Sequence, residues 1–219
     1  MKLFTRHKIR GYKLLHAAVA GAFAACLALS ACSVVSVPDY SYFRMPRAQA
    51  LPASTLPWSS QPIVVSALVA DGLYGDQPLV YALDAQAREL RQYHYQLWAD
   101  PPTRVIQRRL IGLLRNANAA GLVTDELPAS RPALHIGGAI LRFDRVPREA
   151  GGFGVVVVLK LSARDGEGEV LVENIYRSEM AATDTSLGAT VTAFGVALDD
   201  IFARFYAELL AHKDVAHAR

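Results

Sequence analysis

The sequence predicts an α+β fold, a two-layer sandwich in which a mostly antiparallel sheet of about five to six strands carries two helices on one face. Three observations predict it. Extended apolar segments come in two groups of three, and each group is followed by one segment with apolar residues at helical spacing. The run Val155-Val156-Val157-Val158-Leu159 is too apolar for a strand wetted on one side, so it belongs in a central or covered position. The last periodic segment sets Val191, Phe194, Leu198, Ile201, Phe205 and Leu209 on one stripe, the face a helix packs onto a sheet.

Taken in order, Ile63 to Val69 is β-branched and bounded by Pro62 and Asp71-Gly72, which reads as a buried strand. Leu79 to Leu83 and Glu89 to Leu97 follow as strands, the second alternating through Leu90, Gln92, Tyr93, His94 and Tyr95. Asp100 before Pro101-Pro102 reads as an N-cap with proline in the first helical turn. The helix runs to about Asn118 and places Val105, Ile106, Leu110, Leu113 and Leu114 on one face. Its other face carries Arg104, Arg108, Arg109 and Arg115; a solvated face is preferred there over a patch for anionic lipid or phosphate.

Ala133 to Val146, Gly154 to Ser162 and Val170 to Met180 form the second group of strands, with Asp165-Gly166-Glu167-Gly168 as the turn between the last two. The final helix begins near Ser186, with Asp184 to Ser186 as its start and His212 and Lys213 at its end, matching the helix dipole. Its irregular, phenylalanine-rich heptads favour core packing over a coiled coil.

The N-terminus carries a different signal. Lys2, Arg6, Lys8, Arg10 and Lys13 precede an apolar run of 16 residues, Leu14 to Leu29, and no acidic residue occurs before Cys32. A spanning helix needs about 20 apolar residues, and small residues sit where a signal is cut. Leu29-Ser30-Ala31-Cys32 closes the run and resembles a bacterial lipobox. That resemblance implies cleavage before Cys32, a diacylglycerol on its thiol and often an acyl chain, such as palmitate, on its new amine. Anchoring by two or more chains is firm. Ser33 stands where an aspartate would favour the inner membrane under the enteric sorting rule, which implies the periplasmic face of the outer membrane. The weaker alternatives are an ordinary signal peptide cut after Ala31 and an uncleaved anchor.

Processing changes the arithmetic. Losing five basic residues of 23 leaves 18 Lys+Arg against 20 Asp+Glu, a formal charge of −2, so composition offers no argument for a nucleic-acid partner. Cys26 lies in the signal and Cys32 at the lipid site, so no cysteine remains for a disulfide or a metal. Of 219 residues, 31 are signal, and the remaining 188 suit one domain with a tail. Residues 32–60 contain Pro38, Pro46, Pro52 and Pro57 and read as a lipid-anchored tether that could reach about 90 Å. Tyr40, Tyr42 and Phe43 interrupt its polarity and read as an edge strand docked on the domain. The domain proper is expected over 61–212, with an unstructured tail over 213–219.

Chemistry-bearing motifs are few. The mature histidines are His94, His135, His212 and His217, and no pair has metal-binding spacing on a predicted helix. No nucleophile elbow, phosphate loop or dinucleotide fingerprint occurs. Gly151-Gly152-Phe153-Gly154 lies between strands, and Asp199-Asp200 reads as a solvated helix face. Neither an enzyme nor a cofactor is expected. Ser162 or Ser178 beside His135 in a pocket would revive a hydrolase reading. One constellation stands out: the bent loop Asp71 to Pro78 with Leu73 and Tyr74, beside Tyr81, Tyr93, Tyr95 and Trp98 on strands. Aromatics on a rigid sheet serve as interface anchors or as core, and both readings remain open.

The lipobox, the Tyr40-Ser41-Tyr42-Phe43 segment, the glycine-leucine loop running into Gln77-Pro78-Leu79-Val80-Tyr81, and Leu97-Trp98-Ala99-Asp100-Pro101-Pro102 before a helix resemble the PqiC-like family of ABC-type transport auxiliary lipoproteins. The resemblance spreads from Cys32 to the last helix, its most specific piece being the tryptophan-acid-proline step; the tether is longer and richer in proline than the family pattern. It implies a non-catalytic outer-membrane component of an envelope lipid-transport system, anchored to the membrane by lipid. Such a system also has an inner-membrane ATPase and permease and a periplasmic MCE-domain protein. Leu73, Tyr74, Tyr81, Tyr93 and Tyr95 would then meet the MCE-domain protein or a like subunit in a ring. The alternative is a structural or assembly lipoprotein that binds another envelope component.

Overall fold

The computed structural model describes residues 38–128 and 130–217, with side chains as far as residue 212. The signal segment, Cys32 and the start of the tether lie outside them. The strands are β1 (Ser41–Phe43), β2 (Ile63–Val65), β3 (Val69–Ala70), β4 (Pro78–Ala82), β5 (Leu90–Trp98), β6 (Val123–Thr124), β7 (Leu134–Pro147), β8 (Phe153–Arg164) and β9 (Val170–Ala181). A one-turn 3-10 helix spans Gly72–Gly75, and the helices are α1 (Pro102–Asn116) and α2 (Leu187–His217).

The sheet is mixed and curled rather than a flat, mostly antiparallel layer. Its hub is β7. Along one edge β7 pairs in parallel with β2 (Val65 opposite Ile136), then β3 (Val69 opposite Ala139), then β4 (Tyr81 opposite Arg145). Along the other it is antiparallel to β8, which is antiparallel to β9. β4 and β5 form a hairpin, and β1 lies parallel to β5. Parallel neighbours need a long crossover, and α1 lies on the connection that, by way of β5, brings the chain from β4 to its parallel neighbour β7. Spacing along the sequence shows segments and not their neighbours, which is why these parallel pairings were not anticipated. The strands beyond the expected five to six are short pieces: β1, β3 and β6 have three, two and two residues. The single strand expected over Ile63 to Val69 divides into β2 and β3.

Val155, Val156, Val157 and Leu159 are buried as expected, because β8 is central and covered on both faces. On one face it meets α2. On the other, Val156 joins Ala82 and Val146 in a small second cluster under Ala87 and Leu90. The whole α2 stripe is buried. Trp98, Phe143 and Phe194 meet at ring distances of 5.6, 5.5 and 4.3 Å, joining β5, β7 and α2 in one core. Gly138 lets β7 and β8 approach closely, since a Cβ there would collide with the Lys160 carbonyl.

The helix starts differ. Ser186 caps α2, its Oγ accepting from the Ala189 N–H at 3.1 Å while the Asp184 carboxylate accepts from the Ser186 N–H at 2.7 Å. Asp100 does not cap α1: the cap position is Pro101, with no side-chain bond, and the Asp100 carboxylate instead takes Arg108 Nη1 at 2.8 Å. α2 continues to His217, past the end expected at Lys213.

Residues 40–60, expected to belong to the tether, lie on the domain. β1 forms the docked edge strand expected of the Tyr40–Phe43 segment. Beyond it Phe43, Met45, Ala48 and Trp58 pack against the core, and Leu51 is inside it. Ser54 and Ser59 donate backbone N–H groups to the Ala117 and Ala119 carbonyls after α1. Proline and serine conceal this, because a strap pinned at isolated apolar residues has no periodicity to read.

Candidate functional site

The loop before β4 is bent by Gly72, whose φ of +52° suits glycine, and tied to β7 by the Asp71 N–H donating to the Ile140 carbonyl. Within it Leu73 and Tyr74 separate. Leu73 faces solvent at 36% exposure, whereas Tyr74 is 8% exposed and its hydroxyl donates to Asp144 Oδ1 at 3.1 Å. Asp144 is fully buried on β7 and receives Arg142 Nε and Nη2 at 2.8 and 2.9 Å. Burial, then the adjacent carboxylate, pushes the Tyr74 hydroxyl well above its ordinary pKa. The Asp144 hydrogen bond likewise raises Arg142. Tyr74 is therefore the peg of the loop.

Tyr81 and Tyr93 are half-buried and their rings lie 4.4 Å apart. The Tyr93 hydroxyl accepts from Arg145 Nη1 at 2.7 Å. Arg145, buried on β7, also donates to Thr190 Oγ1 and to the Thr185 carbonyl at the start of α2, and stacks 3.3 Å over the Phe153 ring. Tyr93 thereby joins β5 to β7 and α2. Tyr95 stays at the sheet edge, where Tyr40 meets it edge-on at 5.5 Å; Tyr40 and Tyr42 are 57% and 62% exposed. Trp98 is core. Around this loop and its neighbouring strands, the accessible side chains are Leu73 on its pegged turn and the Tyr40, Tyr42, Tyr95 edge.

Two arrangements escaped the sequence reading. Arg109 and Asp199, read as parts of solvated faces, are a bidentate pair at 2.8 Å, with only 6% and 9% side-chain exposure. Arg109 also donates to the Pro46 and Gly195 carbonyls, and Asp199 accepts from the Gln49 N–H. The four-arginine helix face is broken up accordingly: Arg108 serves Asp100, and Arg115 donates to the Val123 carbonyl. Beside the Arg109–Asp199 pair, residues 43–48 and α1 enclose a groove of about 570 Å³. A charged stretch inside an apolar strand, Arg142 to Arg145, signals the Tyr74 and Tyr93 networks on β7; nothing local signals the Arg109–Asp199 pair.

Among the described residues no cluster of three His, Cys, Asp or Glu is placed to hold a metal, and no helix is long and apolar enough to cross a membrane. Ser178 lies across β8 from Phe143, roughly 27 Å along β7 from His135. Ser162 is nearer, yet no hydrogen bond joins it to His135.

The model of the family described as ABC-type transport auxiliary lipoprotein component matches residues 46–204. None of the curated proteins matches the chain. Among solved structures the fold is similar to protein XCC0632 from Xanthomonas campestris, at 14% identity and TM-score 0.68, covering 82% of this chain and all of that one. An uncharacterized protein is similar at 14% identity and TM-score 0.62, covering 78% and 99%. The PelC dodecamer from Paraburkholderia phytofirmans follows at 12% identity and TM-score 0.42, covering 75% and 96%.

Proposed function

Because the chain belongs to the ABC-type transport auxiliary lipoprotein component family, we propose that it is the non-catalytic docking subunit of an envelope lipid-transport system. It is anchored through Cys32 on the periplasmic face of the outer membrane and receives the periplasmic MCE-domain protein. The observation that carries this reading is the division of labour in the loop before β4. Tyr74 is spent on Asp144, which holds Leu73 outward on a pegged turn, and a preorganised apolar anchor loses little entropy on binding. The edge residues Tyr40, Tyr42 and Tyr95 supply a second aromatic surface on the same domain. Ser33, in place of an aspartate after the lipid-bearing cysteine, favours the outer membrane.

Crosslinked purification of the lipidated protein tests the partner. It should recover an MCE-domain protein with its permease and ATPase, and Leu73→Ala should reduce that recovery about tenfold, as loss of an anchor does. Undiminished recovery would remove the loop from the interface, and recovery of no transporter component would overturn the reading. Separation of the two membranes by density tests the placement.

A further inference from the structure

We propose that the groove between residues 43–48 and α1 seats the anionic headgroup of a phospholipid from the membrane that holds Cys32. The proposal rests on the lipid-anchor reading above for the identity of the membrane, and on the following geometry for the site.

Seven residues, and so eight Cα-to-Cα steps, separate Cys32 from Tyr40, where the chain joins the domain. Fully stretched they reach about 28 Å. The reach of about 90 Å expected from an unattached tether is lost, because the residues after Tyr40 are committed to the fold. The groove is lined by Phe43 to Ala48, which begin three residues after Tyr40, so its wall lies close along the chain to the anchored cysteine.

Its charge complements a lipid phosphate. Arg44 and Arg47 are exposed on its wall, with no carboxylate partner among the described ion pairs, and Arg108 on the facing helix shares one carboxylate, Asp100. Arg109 is already spent on Asp199, and this pair shapes the site instead of binding in it. Arg109 holds the Pro46 carbonyl at 2.7 Å, and Asp199 holds the Gln49 N–H at 2.9 Å. The wall that carries Arg44 and Arg47 is therefore fixed before any ligand arrives. Met45, Val105 and Gly112 supply apolar lining, suited to the first methylenes of the acyl chains. A volume of about 570 Å³ is ample for a headgroup, since small-ligand sites run from about 300 to 1,000 Å³.

Sedimentation with vesicles tests this without the covalent anchor, using residues 33–219, which contain the whole compact unit from Tyr40. Binding should appear on vesicles with 30 mol% phosphatidylglycerol, fall steeply in 0.5 M salt, and be absent on pure phosphatidylcholine. A basic residue near an anionic surface is worth about fivefold in affinity, so Arg44→Glu with Arg47→Glu should weaken binding more than tenfold. Arg91→Glu, which alters an exposed arginine paired with Glu89 on β5, should leave it unchanged. Circular dichroism and the melting midpoint verify folding of each variant, and Arg44→Gln with Arg47→Gln replaces the reversal if that does not fold. Equal binding by wild type and double variant, equal binding to both vesicle types, or complete displacement by millimolar inorganic phosphate would each overturn the proposal. The mass of the mature N-terminus reports acylation of Cys32 separately, so failure of the anchor and failure of the groove are distinguishable.

Discussion

Two stretches without long regular structure, the strap over residues 44–58 and the loop over 71–77, are each pinned by an arginine–aspartate pair, and the two pairs are built differently. Arg109–Asp199 joins two helices 90 residues apart and reaches the strap through backbone groups. Arg142–Asp144 lies two residues apart on one strand and reaches the loop through a neutral tyrosine hydroxyl. The Arg109 side chain is 6% exposed and that of Arg142 21%. A cation sealed from water depends on its carboxylate far more than one that can turn toward solvent. The first pair is therefore a clasp of the fold, and the second a local peg that leaves its loop surface free for other work.

Removing each carboxylate gives the sharpest contrast. Asp199→Ala strands the Arg109 charge and frees Gln49, and should cost about 3–5 kcal/mol in urea unfolding. Asp144→Ala leaves Arg142 able to reach water and should cost about 2–3 kcal/mol; an equal or larger loss would break the distinction. Replacing Arg109 and Asp199 together by Met and Leu should restore most of the stability, since packed apolar groups commonly match a buried ion pair.

Tyr74→Phe comes next, at about 1–2 kcal/mol for one hydrogen bond to a charged acceptor. It carries a pH signature. The folded-state pKa of Tyr74 is raised above the unfolded value near 10, so its stabilisation is complete below about pH 10 and is lost as pH rises beyond that. Tyr176, raised by burial and by its bond to Glu208, acts in the same sense. Urea midpoints should fall above pH 10 in the parent and fall less in Tyr74→Phe; parallel curves would detach the hydroxyl from the peg. The smallest stability effect belongs to Leu73→Ala, within about 0.5 kcal/mol, although it should be the largest of these on partner capture.

Parts of this architecture are legible in the sequence for identifiable reasons. The α2 stripe, the covered β8 run and the turn at Asp165 to Gly168 are read correctly because each is local: periodicity, composition and turn chemistry act over a few residues. Asp165 indeed accepts from the Glu167 and Glu169 N–H groups. The separate fates of Leu73 and Tyr74 are not legible because the two are neighbours in one loop, and only Asp144, 70 residues away, draws the Tyr74 hydroxyl inward. Arg109 looks like Arg104 and Arg108 on a helical wheel until Asp199 arrives from α2. The strap is misread because isolated anchors such as Leu51 have no period.

By itself the sequence determined the local quantities: a basic then apolar N-terminal run ending in Leu-Ser-Ala-Cys, a near-neutral charge for the residues after it, the faces of both helices, and which strand must be covered. Tertiary structure alone decided the parallel order along β7, the docking of the chain from Tyr40 onward, which arginines are sealed in and which line the groove. The physical reason is range. Propensity and patterning act between neighbours on one element, whereas desolvation and charge pairing depend on what the fold brings within hydrogen-bond distance from 70 to 150 residues away.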